Sequence, residues 1–120
     1  MQKLYFEPAW DKTIAAIDRE QIMKSFREIE MRQDIHLSFL WTAVNHKNEQ
    51  LVTVLIHNPE DEPLEFKQIA IGFQKDSKPV ETALFTVPLK IPSKTSMPWT
   101  FIFSDENQTT ESPVYIIHQE

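Results

Sequence analysis

The residues Leu51-Val52-Thr53-Val54-Leu55-Ile56-His57 carry the strongest secondary-structure signal in this chain of 120 residues. β-Branched residues are frequent in this stretch, and apolar side chains occupy both of the faces that a strand presents in alternation. Strands with two apolar faces are typical of the middle of a sheet that is covered on both sides. The stretch therefore predicts the central strand of a β-rich domain.

Strand signals continue on both sides of this stretch. Before it, apolar and polar residues alternate over residues 35–43, which is typical of a half-buried strand. After it, turn residues separate further strand candidates, which cover residues 64–74, 80–87, 95–103 and 113–118. Strands of this number and spacing predict a mainly β fold, and specifically an antiparallel immunoglobulin-like β-sandwich.

One helix is predicted before the strands. Asp18 followed three residues later by Gln21 fits a capping box, and apolar residues then recur at helical spacing at Ile22, Phe26 and Ile29. The predicted helix runs from about residue 18 to residue 32, while residues 11–17 fit a short helical turn or a loop equally well. A single domain over residues 1–120 follows, with a helical segment at 1–33 and the β-sandwich at 34–120.

Composition and charge exclude several classes of function. The chain has 12 Lys and Arg against 18 Asp and Glu, a net charge of −6, and its cations are scattered singly. Nucleic acids and anionic membrane surfaces are therefore not expected as partners. The chain has no cysteine and a single glycine, Gly72, which excludes thiolate sites and glycine-rich phosphate loops. No signal peptide or membrane-spanning run is visible, so we expect a cytoplasmic protein without a cofactor.

Catalytic and metal-binding residues are sparse. His36 and His57 could face each other across neighbouring strands, and Met97 could join them, so a small-ligand or metal-binding β-sandwich is the alternative function. The carboxylates fall mostly in turns and on the helix, and no serine lies in a glycine-flanked nucleophile elbow. The sequence therefore predicts that the protein is not an enzyme.

Tryptophan residues are the candidates for contact with a partner. Trp99 lies in a predicted strand whose alternate apolar residues share one face, and core packing is the favoured interpretation of that face. Pro98 nevertheless indicates an edge or a bulge, where part of the face is exposed. Trp41 is predicted to lie in the core. The candidate contact residues are Trp10, Met97, Pro98 and Trp99.

Several runs of the sequence resemble a known family. These runs are Trp10-Asp11-Lys12, Asp18-Arg19-Glu20, Leu51 to Asn58, and Ile91-Pro92 through Ser96-Met97-Pro98-Trp99-Thr100-Phe101-Ile102-Phe103. From about residue 6 to residue 103 the chain resembles the SLAP domain of Gram-positive bacteria, which is named for an S-layer assembly protein acting with the accessory Sec secretion system. The resemblance implies a non-catalytic accessory module in protein secretion or cell-surface assembly.

The partner that this resemblance implies is a protein, either a component of the secretion machinery or an exported chain before it folds. The edge strands of a sandwich can pair with an extended peptide. The net charge of −6 favours a partner surface rich in Lys or Arg. Self-pairing through the same edge, which would give a homodimer, is the alternative.

Overall fold

The computed structural model describes residues 1–119 and is mainly β, with 45% strand and 16% helix. The helices are Pro8–Thr13 (α1) and Ala16–Glu28 (α2). The strands are Lys3–Leu4 (β1), His36–Val44 (β2), Gln50–Asn58 (β3), Leu64–Phe66 (β4), Ile69–Lys75 (β5), Glu81–Phe85 (β6), Leu89–Ile91 (β7), Thr95–Phe103 (β8) and Tyr115–Gln119 (β9). The predicted mainly β class with helix near the N-terminus is confirmed.

The strands form three sheets, with the orders β1-β8-β3-β2, β4-β7 and β6-β5-β9, arranged as a half-barrel. β3 lies between β8 and β2, which confirms that the strand with two apolar faces is central. It pairs antiparallel with both neighbours, so that Val54 lies opposite Phe39 on one side and Trp99 on the other.

The prediction of a purely antiparallel arrangement is wrong, because the sheets are mixed. β1 pairs parallel with β8, and β5 pairs parallel with β9. Neither pair is joined by a hairpin, since three strands separate β5 from β9 along the chain, and only a tight turn forces two strands to run in opposite directions. The immunoglobulin-like sandwich is not confirmed.

One face of the four-stranded sheet packs against the other two sheets and forms the main core. Phenylalanine dominates this core: the ring centroid of Phe85 lies 4.8 Å from that of Phe101 and 5.2 Å from that of Phe103. The buried apolar residues around them come from six strands besides β8 and include Val52, Val54, Ile56, Phe66, Ile69, Ile71, Ala83, Leu89, Ile91 and Ile117. Burial of these apolar side chains stabilises the fold, and the alternating sequence pattern predicted that one face of each strand would be buried.

The helices lie on the opposite face of the four-stranded sheet. Ile22 of α2 and Leu55 of β3 are both completely buried, and neither belongs to the main core. Because residues alternate between the faces of a strand, Leu55 projects away from the main core, towards the layer formed by the helices. β3 is thus covered on both sides around Leu55.

The limits of α2 differ from the prediction. The helix begins at Ala16 after Ala15, which makes no side-chain cap, so Asp18 lies in the first turn rather than at the cap, and the predicted capping box is wrong. The helix ends at Glu28 rather than near residue 32. Beyond its end, Arg32 donates two hydrogen bonds to the Asp34 carboxylate, at 2.9 and 2.6 Å, which fixes the turn into β2.

Short elements account for the remaining differences. The predicted strand at 64–74 is two strands in different sheets, because β4 pairs with β7 while β5 pairs with β6 and β9. The sequence did not predict β1 or β7, which have two and three residues. The short α1 resolves the choice left open for residues 11–17: the helix starts at Pro8 and ends at Thr13.

The polar stretch after β8 protects a sheet edge. The amide of Leu84 donates to the carbonyl oxygen of Asn107 at 2.8 Å, and the amide of Thr109 donates to that of Thr82 at 3.1 Å. These bonds cover the outer side of β6, which would otherwise present unpaired backbone groups. Gly72, on the neighbouring β5, allows close packing, since a Cβ at this position would lie 2.7 Å from a Val80 methyl carbon.

Candidate functional site

A bulge in β2 places Trp41 on the face of the sheet that carries the helices. The pairing between β2 and β3 shifts between Phe39 and Trp41, so that Leu40 has no partner on β3. One extra residue reverses the side to which the following side chains point. Phe39 therefore packs against the main core, whereas Trp41 lies on the helix side, and the prediction that Trp41 belongs to the core is wrong.

Trp41 forms one wall of a groove of about 390 Å³ between the helices and the sheet, which we call the helix–sheet groove. Its lining comes from α1, the link between the helices, the first turn of α2, and the strands β2, β3 and β8. The lining residues are Trp10, Thr13, Ile14, Ala15, Asp18, Trp41, Ala43, Leu51, Thr53 and Thr100. Six of these ten side chains are apolar, three are threonines and one is Asp18, so the groove offers contacts to apolar side chains beside a few polar groups.

The groove continues onto a part of the sheet that the helices leave uncovered. Ala43, Leu51 and Ile102 lie side by side on β2, β3 and β8, because Leu51 pairs with both of the others. Ala43 is exposed and Ile102 retains 43% of its accessible surface. On the helix side, Ile17 retains 74%. An apolar surface that combines a groove with a sheet face is typical of a binding site.

Polar groups in the groove are few and well defined. The hydroxyl groups of Thr53 and Thr100 are 2.8 Å apart and bond to each other across the β3–β8 pair. Asp18 is half-buried and has neither a salt bridge nor a side-chain hydrogen bond within the described residues 1–119. By contrast, a depression of about 270 Å³ near Lys47 and Asp105 is lined mainly by polar loop residues.

The four predicted contact residues have different positions. Trp10 lines the groove and stacks on Trp99, with ring centroids 6.4 Å apart and planes at 29°. Trp99 is half-buried and also packs against the main core. Met97, which is 1% exposed, and Pro98 are both buried. Neither residue is available for contact with a partner, which corrects the prediction for these two positions.

Pro98 does lie at a sheet edge, as its lack of an amide proton predicted. β1 pairs only with Thr95 and Ser96, and the Ser96 carbonyl oxygen accepts a bond from the Tyr5 amide on that outer side. Backbone groups alternate in direction along a strand, so the nitrogen of Pro98 points to the same side, beyond the end of β1. The stacked Trp10 ring lies against the next residue of this edge.

The two predicted histidines face each other, as expected, at the other end of the sheet. His36 pairs with His57, and their rings stack with centroids 4.5 Å apart. His57 is completely buried, and its Nε2 and Nδ1 atoms lie 2.8 and 2.6 Å from the hydroxyl oxygens of Ser38 and Ser96. A neutral imidazole between two hydroxyl groups has both of its nitrogen atoms satisfied.

This arrangement does not provide the predicted metal ligands. Met97 pairs with Ile56, the neighbour of His57, and therefore projects to the opposite face, into the main core. Within residues 1–119, no group of three or more His, Asp or Glu side chains is placed to hold a metal ion. Both ring nitrogens of His57 are hydrogen-bonded to serine hydroxyl groups, so neither nitrogen is free to bind a metal ion.

Burial lowers the pKa of His57 to about 3, with smaller contributions from His36 and Arg32. The unfolded chain has a histidine pKa near 6.5, so it binds more protons than the folded protein between about pH 6.5 and pH 3. The contribution of His57 to stability is therefore complete above pH 6.5 and decreases as the pH falls.

We expect the free energy of unfolding to be about 2 kcal/mol lower at pH 5 than at pH 7.5 because of His57 alone. Urea unfolding of the wild type and of His57→Gln at both pH values measures this contribution as the difference between their pH dependences. His46→Gln, at an exposed position in the β2–β3 loop, is the matched control and should keep the wild-type dependence. Equal pH dependence in the wild type and His57→Gln would contradict the prediction.

One comparison with known protein families gives a match to this chain. The family model of the SLAP domain matches residues 4–115. The chain belongs to the SLAP domain family. No curated protein and no solved structure matches it. The matched region contains both helices, β2 to β8 and the whole helix–sheet groove.

Within this SLAP domain, the sequence indicated only part of the groove. It gave Trp10 as a candidate contact residue, and Trp10 lines the groove, but it did not give Trp41, because the bulge at Leu40 that turns Trp41 to the helix side has no recognisable sequence signal. The start of α2 at Ala16 brings Asp18 into the groove wall, and this start was predicted two residues too late. Among residues 1–119, no helix of the SLAP domain is long and apolar enough to span a membrane.

Proposed function

We propose that this SLAP domain is a non-enzymatic protein-binding module that serves protein secretion or cell-surface assembly. The observation that carries the proposal is the helix–sheet groove together with the uncovered sheet face beside it. Family membership supports the link to secretion and surface assembly. A component of the secretion machinery, or an exported chain before it folds, is the partner that we propose, on the cytoplasmic side.

The shape of this surface favours a protein over a small molecule. The groove has a volume within the range of about 300–1,000 Å³ that is usual for small-ligand sites, but such sites enclose most of their ligand. This groove instead opens onto the row formed by Ala43, Leu51 and Ile102. A groove that is continuous with a flat apolar face suits a polypeptide segment, which can fill the groove with one side chain and cover the face with others.

Sheet edges provide a second route to the same function. β2 is the last strand of the four-stranded sheet, and β8 has β1 beside it only at Thr95 and Ser96. An extended peptide of the partner, or a second copy of the chain, could pair with either edge. We favour the groove because it combines tryptophan side chains with an uncovered apolar surface, whereas the edges offer backbone groups alone.

A charged side chain at the centre of the surface should abolish the function. Ala43→Glu places a carboxylate in the groove without disturbing the main core, because Ala43 is exposed. Val44→Glu, at the next residue of the same strand, projects to the other side and is the matched control, since Val44 is 60% exposed. The measurement is the amount of each exported and surface-bound protein in a strain that lacks the chromosomal copy.

We expect the deletion to reduce at least one exported protein, and we expect the wild type and Val44→Glu, but not Ala43→Glu, to restore it. Unchanged export in the deletion strain would contradict the link to secretion. Full restoration by Ala43→Glu would show that the groove is not the functional surface.

A further inference from the structure

We propose that the helix–sheet groove recognises a basic apolar segment of the partner, in which an apolar anchor is followed closely by Lys or Arg. The inference rests on the proposed protein-binding function and adds the chemistry of the partner. It depends on the contrast between the apolar walls of the groove and its one carboxylate.

Asp18 provides the charge that selects this partner. It is the single ionisable residue among the ten that line the groove. Asp11, the acidic residue of α1, is already engaged by Arg19 at 2.8 Å, whereas Asp18 has no cationic partner within residues 1–119. A half-buried carboxylate beside apolar walls interacts more strongly with a cation than an exposed one does, because less water screens the pair.

The tryptophan rings at the two sides of the groove suit the same segment. Trp10 stacks on Trp99, and Trp41 projects into the groove from β2. Tryptophan rings bind apolar side chains and also attract the guanidinium or ammonium group of a nearby cation through their negative faces. Both kinds of interaction therefore favour an apolar and basic segment over an apolar and acidic one.

Charge also distinguishes such a partner from a second copy of this chain. A dimer with two-fold symmetry through the groove would place both Asp18 carboxylates in one interface, with no cation among the lining residues to balance them. Each copy also carries a net charge of −6. Like charges without counterions in an interface oppose association, so the groove favours a basic partner over self-association.

Three short synthetic peptides test the proposal. They share the same apolar residues and carry Lys, Gln or Glu at the remaining positions. Binding to the ¹⁵N-labelled protein is followed by NMR through the indole N–H signals of the three tryptophans. We expect the Lys peptide to shift the signals of Trp10 and Trp41 and to bind about five- to tenfold more tightly than the Gln peptide, with the Glu peptide weaker still.

Variants then assign the preference to Asp18. Asp18→Asn should remove the five- to tenfold advantage of the Lys peptide while leaving the affinity for the Gln peptide unchanged. Asp76→Asn is the matched control, because Asp76 is exposed in the β5–β6 turn and has a φ of 54° that asparagine adopts readily. Trp41→Ala should weaken the binding of all three peptides.

Equal affinities of the Lys and Glu peptides, or equal effects of Asp18→Asn and Asp76→Asn, would overturn the proposal. Sedimentation that shows a dimer dissociated by Ala43→Glu would overturn it as well, because the occupant would then be a second copy. The two proposals fail separately: if Ala43→Glu blocks export while Asp18→Asn restores it fully and the peptides are not distinguished, the proposed function stands and this inference fails, because the groove then binds a partner of different chemistry.

Discussion

Phe101→Ala is expected to lower the free energy of unfolding by about 3–5 kcal/mol, the usual cost of truncating a buried aromatic side chain. Phe101 is 1% exposed and packs on Phe85 at a centroid distance of 4.8 Å. Phe85 in turn contacts Phe103, and Phe103 contacts Phe73 at 5.9 Å, so the ring lies within a connected aromatic cluster. Removal of the ring leaves a cavity between the sheets that rigid neighbours cannot fill.

Ile102→Ala is the matched control for this measurement. Ile102 is the next residue of β8 and points to the opposite face, where it is 43% exposed. Its truncation should cost less than about 1 kcal/mol, since surface substitutions have small effects. Urea unfolding at pH 7.5 measures both values. Similar losses in the two variants would contradict the assignment of the main core to the face that carries Phe101.

Asn58→Asp is expected to cost about 3–5 kcal/mol at neutral pH, because it places an unpaired charge in the interior. Asn58 is completely buried, and its Nδ2 atom donates to the carbonyl oxygens of Glu62, Ile91 and Pro92 at 2.9, 3.1 and 3.0 Å. A carboxylate in this position can donate to none of them. These bonds connect the loop after β3 to the turn between β7 and β8, so we expect both loops to loosen.

The pH dependence distinguishes this effect from a simple packing defect. Burial among carbonyl oxygens raises the pKa of the introduced carboxyl group above its value in the unfolded chain. The folded variant therefore gains protons relative to the unfolded state as the pH falls, and its deficit against the wild type should shrink between pH 7.5 and pH 5. Asn48→Asp, at an exposed loop position, is the control. A deficit that is constant with pH would contradict this account.

The sequence predicted the elements whose residues repeat over many positions. The seven residues from Leu51 to His57 predicted a central strand, and the alternation that ends in Trp99, Phe101 and Phe103 predicted β8. Hydrophobic periodicity is informative there because every second side chain must enter the same core. The opposition of His36 and His57 also followed from the pairing of two neighbouring strands.

Features that depend on single residues or on long-range pairing were not predictable. The bulge at Leu40 reverses the side of Trp41, and no local composition marks it. The parallel pairing of β9 with β5 depends on the path of the chain across three other strands rather than on either strand alone. Burial of Met97, by contrast, was the favoured interpretation of the alternating face that it shares with Trp99 and Phe101, and the core confirms it.

In the candidate site, too, the sequence predicted local properties of single residues but not the arrangement that long-range packing produces. Trp10 was a candidate contact residue because of its residue type, but the groove that it lines forms only where α1, α2 and three strands meet. Pro98 correctly indicated an edge, because the lack of an amide proton is a local property. Its burial was not indicated, because it depends on how the rest of the chain packs around the helix side of β8.

Photo-crosslinking in living cells tests most directly whether the partner binds the helix side of the four-stranded sheet. A benzophenone amino acid is introduced at Ile102, beside the groove, or at Val114, an exposed residue before β9 in another sheet. We expect a protein of the secretion machinery or an exported chain to crosslink from position 102 and not from 114, and we expect the Lys peptide to displace it in permeabilised cells. Equal or stronger crosslinking from position 114, or a product that the Lys peptide leaves unchanged, would contradict this expectation.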